Sequence, residues 1–428
     1  MPLRKAYKFR CIILWQRQVA GEKTRYHPFQ VMARKAAMLK LGGKWDASLS
    51  LWTANLQWSE SLPDPGGELA ESLLEAGWLW FKKGDYQKAL ELYGRGEACC
   101  KKMNDGARLN SFWSAMGTVH LNRGEYDQAR DFFDQSLEIS RRSGNSEELA
   151  RSLNNQAMLH WDKGDYQECL RLHRQTRELY IKSGNEVKLA QLLGNMALAY
   201  WGVYDFSSAR QLLNEGLALA KKTGDIQTYA MTTGNLAGIM IQEGDFEPAS
   251  ELINIRLEYA ARFGDNKNRC VALGQLAQIE YLNGDYRKAE LGYLRALEAA
   301  ETLGLKYYKG YFLTMLTETA WALKDIQNAG RYLGQASELV KLVNVAELKF
   351  NVRKLRARLA GQAQGGRELQ EMLDQGGWDP AQQADLHYES YLLTGSAGER
   401  EKALQLYREI LQKAPLHEYQ QRVKELSK

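Results

Sequence analysis

A short turn signal, glycine then an acidic and an aromatic residue, recurs along this chain every 40 residues. A second glycine position, half a period away, repeats at the same interval from Gly144 to Gly304. A fixed period of this length indicates a repeat architecture. The turn signals are Gly84-Asp85-Tyr86, Gly124-Glu125-Tyr126, Gly164-Asp165-Tyr166, Gly244-Asp245-Phe246 and Gly284-Asp285-Tyr286, with altered forms at Tyr204-Asp205-Phe206 and Lys324-Asp325-Ile326.

Each unit predicts two helices, and the unit around Gly164 illustrates the pattern. Residues 147–163 carry apolar side chains at three- and four-residue spacing, which is typical of an amphipathic helix. Gly164 can adopt the positive φ that ends this helix, and Asp165 is placed to cap the next one. A second helix follows and ends at Ser183-Gly184. Because short connections make neighbouring helices antiparallel, we predict an all-α solenoid of helix pairs without a single core.

Small and bulky residues alternate at fixed places in the paired helices, A and B. Helix A carries a small residue seven positions before the turn, and helix B a small residue five positions after it, followed by a bulky one. This pattern resembles the tetratricopeptide repeat, in the long-period form of kinesin light chains and of the spindle adaptors named for Leu-Gly-Asn repeats. The resemblance implies a right-handed superhelix whose A helices line a concave, protein-binding groove. The segments that carry it include Leu153-Asn154-Asn155-Gln156-Ala157, Leu193-Gly194-Asn195-Met196-Ala197 and Thr233-Gly234-Asn235-Leu236-Ala237.

The regular period covers only part of the chain. We predict an irregular segment at residues 1–26, a divergent capping hairpin at 27–66, seven regular repeats at 67–345, and degenerate hairpins with a capping helix at 346–428. Within the last region, residues 346–359 and 367–373 read as two helices separated by a glycine-rich loop at 361–366. The charged helix from residue 417 is expected to cover the last hairpin, because solenoids need terminal caps.

Composition narrows the classes of function. The net charge of +5 is too small to argue for a nucleic-acid partner, and cations near the B-helix ends are explained by the helix dipole. The five cysteines lack metal-type spacing, and no apolar run is long enough to cross a membrane. Phosphate-loop, nucleophile-elbow and zinc-helix motifs are missing from the sequence. We therefore expect a cytoplasmic, non-catalytic protein without cofactor or metal.

The strongest functional signal is a row of amide side chains nine positions before the turn, at Asn155, Asn195, Asn235 and Gln275. Each amide offers two donors and an acceptor, so such a row can bond the backbone of an extended peptide. In the families that the sequence resembles, an Asn at this position binds the backbone or a terminal carboxylate of the ligand. Glycines one position earlier are expected to leave room for a bound chain. The remaining predicted groove residues are Arg151, Asn154, Trp161, Trp201 and Tyr281.

Alternative interpretations remain at this point. The amides could bond one another or neighbouring carbonyls, and His120, His160 and His173 are better explained as replacements for core aromatics than as metal ligands. Our interpretation is a scaffold or adaptor that binds a peptide or partner segment. The alternatives are a regulatory or sensor module of a signalling system, and an enzyme with an unrecognised site in the first 66 or last 80 residues.

Overall fold

A computed structural model describes residues 28–41, 44–63, 66–123, 125–263, 265–343 and 345–428 of the protein. Over these ranges the chain forms twenty α-helices and no strand, and successive helices pack in pairs. The predicted all-α solenoid is confirmed. The predicted irregular segment at residues 1–26 lies outside the described residues.

The helices follow the predicted period closely. The first pair is α1 (Pro28–Leu41) and α2 (Trp45–Glu60). The A helices of the regular pairs are α3 (Gly66–Lys82), α5 (Gly106–Asn122), α7 (Ser146–Asp162), α9 (Glu186–Gly202), α11 (Ile226–Glu243), α13 (Asn266–Leu282) and α15 (Lys306–Ala322). Their B helices are α4 (Tyr86–Met103), α6 (Tyr126–Ser143), α8 (Tyr166–Ser183), α10 (Phe206–Thr223), α12 (Phe246–Phe263), α14 (Tyr286–Thr302) and α16 (Ile326–Val340). The last four helices are α17 (Ala346–Gln375), α18 (Pro380–Thr394), α19 (Ala397–Leu411) and α20 (His417–Leu426).

The recurring turn works as the sequence predicts. Gly164 has φ 77°, and the Asp165 carboxylate accepts a hydrogen bond from the Glu168 backbone N–H at 3.3 Å. Aspartates at the equivalent turns cap their helices in the same way. Tyr204 and Lys324 replace the glycine at two turns and still adopt φ 62°, a conformation that is strained for a residue with a side chain.

Small residues of helix A make room for bulky residues of helix B. A Cβ built at Gly77 would lie 2.4 Å from the Tyr93 ring, and one built at Gly117 would lie 2.4 Å from the Phe133 ring. Both rings are buried. The glycines therefore let the two helices of a pair approach closely, as the alternation of small and bulky residues predicts.

The chain divides into two compact units, residues 1–156 and 157–428, with the boundary inside α7. In unit 1, one buried cluster joins α1, α2 and α3, and a second joins α3, α4 and α5. In unit 2, the largest cluster joins α13 to α17. A further cluster of unit 2 combines residues of α9, α10 and α11 with residues of α18, α19 and α20.

The region after α16 differs from the prediction. The glycine-rich loop expected at residues 361–366 shrinks to one residue, because within Ala346–Gln375 only Gly361 leaves helical geometry, at φ 77°. The next glycine, Gly365, is helical and buried, and a Cβ there would lie 1.9 Å from the Ala357 carbonyl oxygen. Close approach of the two arms of α17 therefore explains this glycine.

The last helix packs on two different parts of unit 2. α20 lies against α19 and also contacts α11. Its His417 ring lies 5.1 Å from the ring of Phe246, the first residue of α12. Leu426 at its other end is 1% exposed. Within unit 2, α20 thus reaches beyond the last hairpin to an earlier pair of helices.

Candidate functional site

Three of the predicted amides lie on neighbouring A helices of unit 2. α9 packs beside α11, and α11 packs beside α13. Asn195, Asn235 and Gln275 occupy equivalent mid-helix positions on these helices, and each is half-buried. We call these three residues the amide face.

Gln275 is already engaged within the chain. Its Nε2 donates to the Gly234 carbonyl oxygen at 2.9 Å, and its Oε1 accepts from Arg256 Nη1 at 3.2 Å. Arg256 is only 8% exposed and donates from Nε to Asn268 Oδ1 at 2.8 Å. Burial lowers the pKa of this guanidinium. Gln275 therefore ties α11 to α13 and helps to solvate a buried cation.

The room predicted beside the glycines exists at only one of them. A Cβ at Gly234 would lie 2.2 Å from Arg256 Nη1, and one at Gly274 would lie 2.4 Å from the Phe312 ring. The chain itself fills these two spaces, so the prediction of open access is wrong there. At Gly194 the nearest atom, Thr232 Oγ1, is 3.8 Å away from such a Cβ.

The Asn235 amide differs from the Gln275 amide. The structure gives the Asn235 side chain no hydrogen bond to any residue that it describes. One helical turn earlier on α11, Met231 is 44% exposed, so solvent reaches this part of the A-helix surface. A half-buried amide of this kind keeps its donors and its acceptor for a bound molecule.

The predicted aromatic residues mainly pack within the chain. The Trp201 ring lies on the Gly238 backbone, where a built Cβ would be 2.6 Å from it, and it meets Phe206 edge-on at 6.4 Å. The Tyr281 hydroxyl donates to Glu318 Oε2 at 3.3 Å. Trp161 is half-buried, and its indole N–H finds no acceptor among the described residues. Trp161 thus carries a buried donor that no described residue satisfies.

The remaining predicted groove residues belong to unit 1. Arg151 is exposed and donates to Ser111 Oγ at 3.3 Å. Asn154 and Asn155 are half-buried on the same helix, α7. Three of the predicted residues therefore lie in unit 1, and the amide face is the part of the prediction that unit 2 assembles on adjacent helices.

Comparison with protein-family profiles identifies the repeats. Residues 108–182 and 148–222 match the tetratricopeptide repeat. These residues are tetratricopeptide repeats. The predicted superfamily is thereby confirmed. A search of curated protein sequences finds no significant match.

Solved tetratricopeptide-like structures share the fold at low sequence identity. A Rap protein complexed with Competence and Sporulation Factor is 16% identical, with a TM-score of 0.61 over 81% of this chain and 98% of that one. NprR in complex with its cognate peptide NprX is 15% identical, with a TM-score of 0.58 over the same shares. The Rap conjugation gene regulator of plasmid pLS20, in complex with the Phr* peptide, is 15% identical, with a TM-score of 0.54 over 64% and 74%.

A cluster of charged residues centred on α17 and α18 was not predicted. Lys354 Nζ lies 3.2 Å from Asp385 Oδ2, and Arg358 Nε donates to Glu389 Oε2 at 2.8 Å. Each pair joins α17 to α18 at four-residue spacing, and this matched spacing was the available sequence signal. The C-terminal ion cluster consists of Glu318, Lys354, Arg358, Asp385, Glu389 and Arg422.

The ion cluster keeps its carboxylates charged. Burial acts to raise the pKa of Asp385, but Arg422 and Lys354 outweigh burial and lower this pKa to about 2. Burial likewise opposes ionisation of Glu318, yet Arg358 and Lys354 lower its pKa below the usual value. A buried cluster of this composition is held together by mutual neutralisation, so removal of one member leaves an opposite charge uncompensated.

Other predicted features are accounted for locally. His120 Nδ1 lies 2.6 Å from Glu125, and His160 Nδ1 lies 3.0 Å from Asp165. No group of three or more His, Cys, Asp or Glu side chains in the described ranges is placed to hold a metal ion. The cations at the B-helix ends include paired ones, such as Lys222 with Glu186 at 2.5 Å. None of the helices that the structure describes has the length and hydrophobicity needed to cross a membrane.

Proposed function

We propose that this tetratricopeptide-repeat chain is a binding module that holds an extended peptide or partner segment on the amide face of unit 2. The observation that carries the proposal is the equivalent placement of Asn195 and Asn235 on neighbouring helices, where both are half-buried and the exposed Met231 lies one turn before Asn235. The Asn235 amide has no internal hydrogen bond to the described residues. Two amides on neighbouring helices can pair with peptide groups at two separate points along one extended chain.

Solved structures of the same fold support this proposal. The NprR structure contains its cognate peptide NprX, and the Rap conjugation gene regulator contains the Phr* peptide. Repeat solenoids use extended surfaces to bind partners. By analogy, we propose a peptide ligand and a scaffold or regulatory role, rather than catalysis.

The three amides have different roles in this proposal. Gln275 bonds Gly234 and Arg256, so its replacement by Ala would remove partners from a buried guanidinium and destabilise the fold. The Asn235 amide has no such internal duty. We therefore expect Asn235 to contribute to binding through its amide, Asn195 to contribute from the equivalent position on the neighbouring helix, and Gln275 to stabilise the surface.

The test compares two pairs of asparagines. Asn195→Ala with Asn235→Ala alters the amide face, whereas Asn214→Ala with Asn254→Ala alters exposed residues at equivalent places on α10 and α12. Peptides are first selected on the wild-type chain from a phage-displayed library of random dodecapeptides. Their affinity for each variant is then measured by calorimetry.

Loss of up to four amide hydrogen bonds is expected to weaken binding by about 3 kcal/mol, or on the order of a hundredfold. The control pair should bind as the wild type does, and both pairs should unfold at nearly the wild-type temperature. Equal peptide affinity in the amide-face variant and the wild type would refute the proposed site. Failure to select any peptide would refute the proposed ligand class.

A further inference from the structure

Arg422 of α20 is held in a site built largely by two other helices. Its side chain is 11% exposed and forms an ion pair with Asp385 of α18. Nη1 also donates to the Tyr407 hydroxyl of α19 at 2.6 Å. The guanidinium carbon lies 4.9 Å from the Tyr388 ring centre and 5.6 Å from that of Tyr407. A carboxylate and two aromatic rings thus surround one planar cation.

This site is organised by residues outside α20. The Tyr407 hydroxyl donates to Asp385 Oδ1 at 3.0 Å, and Lys354 lies 3.2 Å from Asp385 Oδ2. The Tyr388 and Tyr407 rings meet edge-on at 6.1 Å. Tyr407 and Lys354 of α17 therefore hold the Asp385 carboxylate in addition to Arg422, and the two rings pack on each other.

The charges around Asp385 favour the binding of a cation. With α20 in place, the cations Lys354, Arg358 and Arg422 balance the anions Glu318, Asp385 and Glu389. Departure of α20 removes Arg422 together with its half-exposed partner Glu418. The buried members of the cluster that remain then carry one negative charge in excess. Since burying an unbalanced charge is unfavourable, the vacated surface favours a segment that returns a guanidinium.

α20 itself is a weakly supported helix. It has ten residues, and helices of this length are marginal on their own in water. Leu426 is the one side chain of this helix that is fully buried. Tyr419 and Val423 pack against the neighbouring apolar cluster while staying partly exposed. Polar attachments include the hydrogen bond from the Tyr388 hydroxyl to Glu425 at 2.9 Å and that from Arg400 to the Leu426 carbonyl at 2.6 Å. Opening of α20 therefore exposes one fully buried apolar side chain and the partly buried Tyr419 and Val423.

We propose that Asp385, Tyr388 and Tyr407 form an arginine-recognition site, which Arg422 occupies from within the chain and which a helical partner segment bearing arginine can occupy instead. The partner carries an aromatic residue three positions before the arginine, as Tyr419 precedes Arg422, with the Tyr419 and Tyr407 rings 4.7 Å apart. Arginine is preferred over lysine because its planar guanidinium can bond Asp385 and stack on the rings at the same time. This second site uses none of the amide-face residues.

The test uses the full chain and a fluorescein-labelled synthetic peptide of residues 413–428. In the wild type, the tethered helix competes at an effective concentration on the order of millimolar and keeps the peptide out. Arg422→Ala weakens the tethered helix, so we expect the peptide to bind this variant at least about tenfold more tightly than the wild type. Gln421→Ala, at an exposed position of the same helix, should behave as the wild type.

Two further comparisons establish arginine recognition. A peptide with Lys at the position of Arg422 should bind the Arg422→Ala chain at least about tenfold more weakly than the arginine peptide. Adding Asp385→Asn to that chain should abolish binding. A chain that carries Asn195→Ala and Asn235→Ala should bind the peptide as weakly as the wild type does. The arginine site can therefore be tested independently of the proposed binding function of the amide face. Equal affinity for the wild type and Arg422→Ala, or for the Arg and Lys peptides, overturns the inference.

A measurement on the wild type covers the case in which Arg422→Ala does not fold. Excess isotope-labelled peptide should accelerate amide hydrogen exchange in α20 several-fold and leave exchange in α18 unchanged, because the peptide traps the open form. If exchange in α20 is unaffected at saturating peptide, the tethered helix is a permanent part of the fold and the inference is overturned.

Discussion

His173 provides a sensitive test of the packing described above. It lies on α8 of unit 2, it is 0% exposed, and neither ring nitrogen has a hydrogen-bond partner among the described residues. Desolvation lowers its pKa from 6.5 to about 4. The residue at the same place in the next repeat is Leu213, which is also buried. We therefore choose His173→Leu as the perturbation.

The direction and size of the effect follow from the two pKa values. Because the folded-state pKa is lower, the unfolded chain takes up the proton first, and acid destabilises the folded state. Stability is unaffected above about pH 7.5, decreases as the pH falls through 6.5, and reaches its full loss below about pH 4. The full loss is about 3 kcal/mol, and at about pH 5 the loss is about 2 kcal/mol.

The assay is amide hydrogen exchange of α8, followed by mass spectrometry and corrected for the intrinsic pH dependence of exchange. This measurement reports the free energy of opening for the part of the chain that contains His173. Between about pH 7.5 and pH 5, the wild type should lose about 2 kcal/mol more than His173→Leu. At neutral pH the variant should be at least as stable as the wild type, since it no longer buries two unpaired ring nitrogens.

Comparison of the two proteins removes the contributions of the other histidines, which both retain. Imidazole carbon NMR gives an independent reading, and the His173 resonance should stay in its neutral form at about pH 5. An equal loss of stability in wild type and variant, or titration of His173 near pH 6.5 in the folded protein, would refute the burial argument.

Further predictions concern backbone positions and are checked by urea unfolding followed by circular dichroism. Lys324→Gly should stabilise the protein by about 0.5–1 kcal/mol, because glycine adopts the positive φ at this turn without strain. Gly284→Ala at the equivalent turn should destabilise the protein by about 1 kcal/mol. Stability changes of the same sign in both variants would contradict this explanation of the turn. Gly365→Ala should cost about 3 kcal/mol because its Cβ meets the Ala357 carbonyl, while Gly366→Ala, with its nearest contact at 3.5 Å, should be neutral or stabilising by about 0.5 kcal/mol. Equal tolerance of both alanines would show that the arms of α17 do not approach as closely as described.

Much of the fold could be predicted from the sequence because the residues that define each helix are close together in the chain. The turn glycine, the aspartate cap and the apolar spacing lie within a few residues of one another, so they set helix boundaries directly, as at Gly164 and Asp165. The small and bulky residues that pack within one pair, such as Gly117 and Phe133, are a fixed distance apart in sequence. The register of Asn195, Asn235 and Gln275 follows from the same period.

Contacts between distant helices are not encoded in that period. The sequence does not reveal that Arg256 fills the space beside Gly234, because the same place on α10 and α14 carries Gly216 and Ala296. The sequence also does not indicate that the Gln275 amide accepts a hydrogen bond from that arginine. These contacts depend on the length and burial of side chains that occur in one repeat only. A sequence pattern that all repeats share cannot predict a contact that one repeat alone makes.

The C-terminal helices show the same division. Sequence alone determined that residues after Val345 are helical and that the regular period ends there. Only the tertiary structure placed His417 against Phe246 and Arg422 against Asp385 and Tyr407. The physical reason is that helix formation depends on neighbouring residues along the chain. The position at which α20 packs depends instead on the charges and aromatic rings that α17, α18 and α19 bring together.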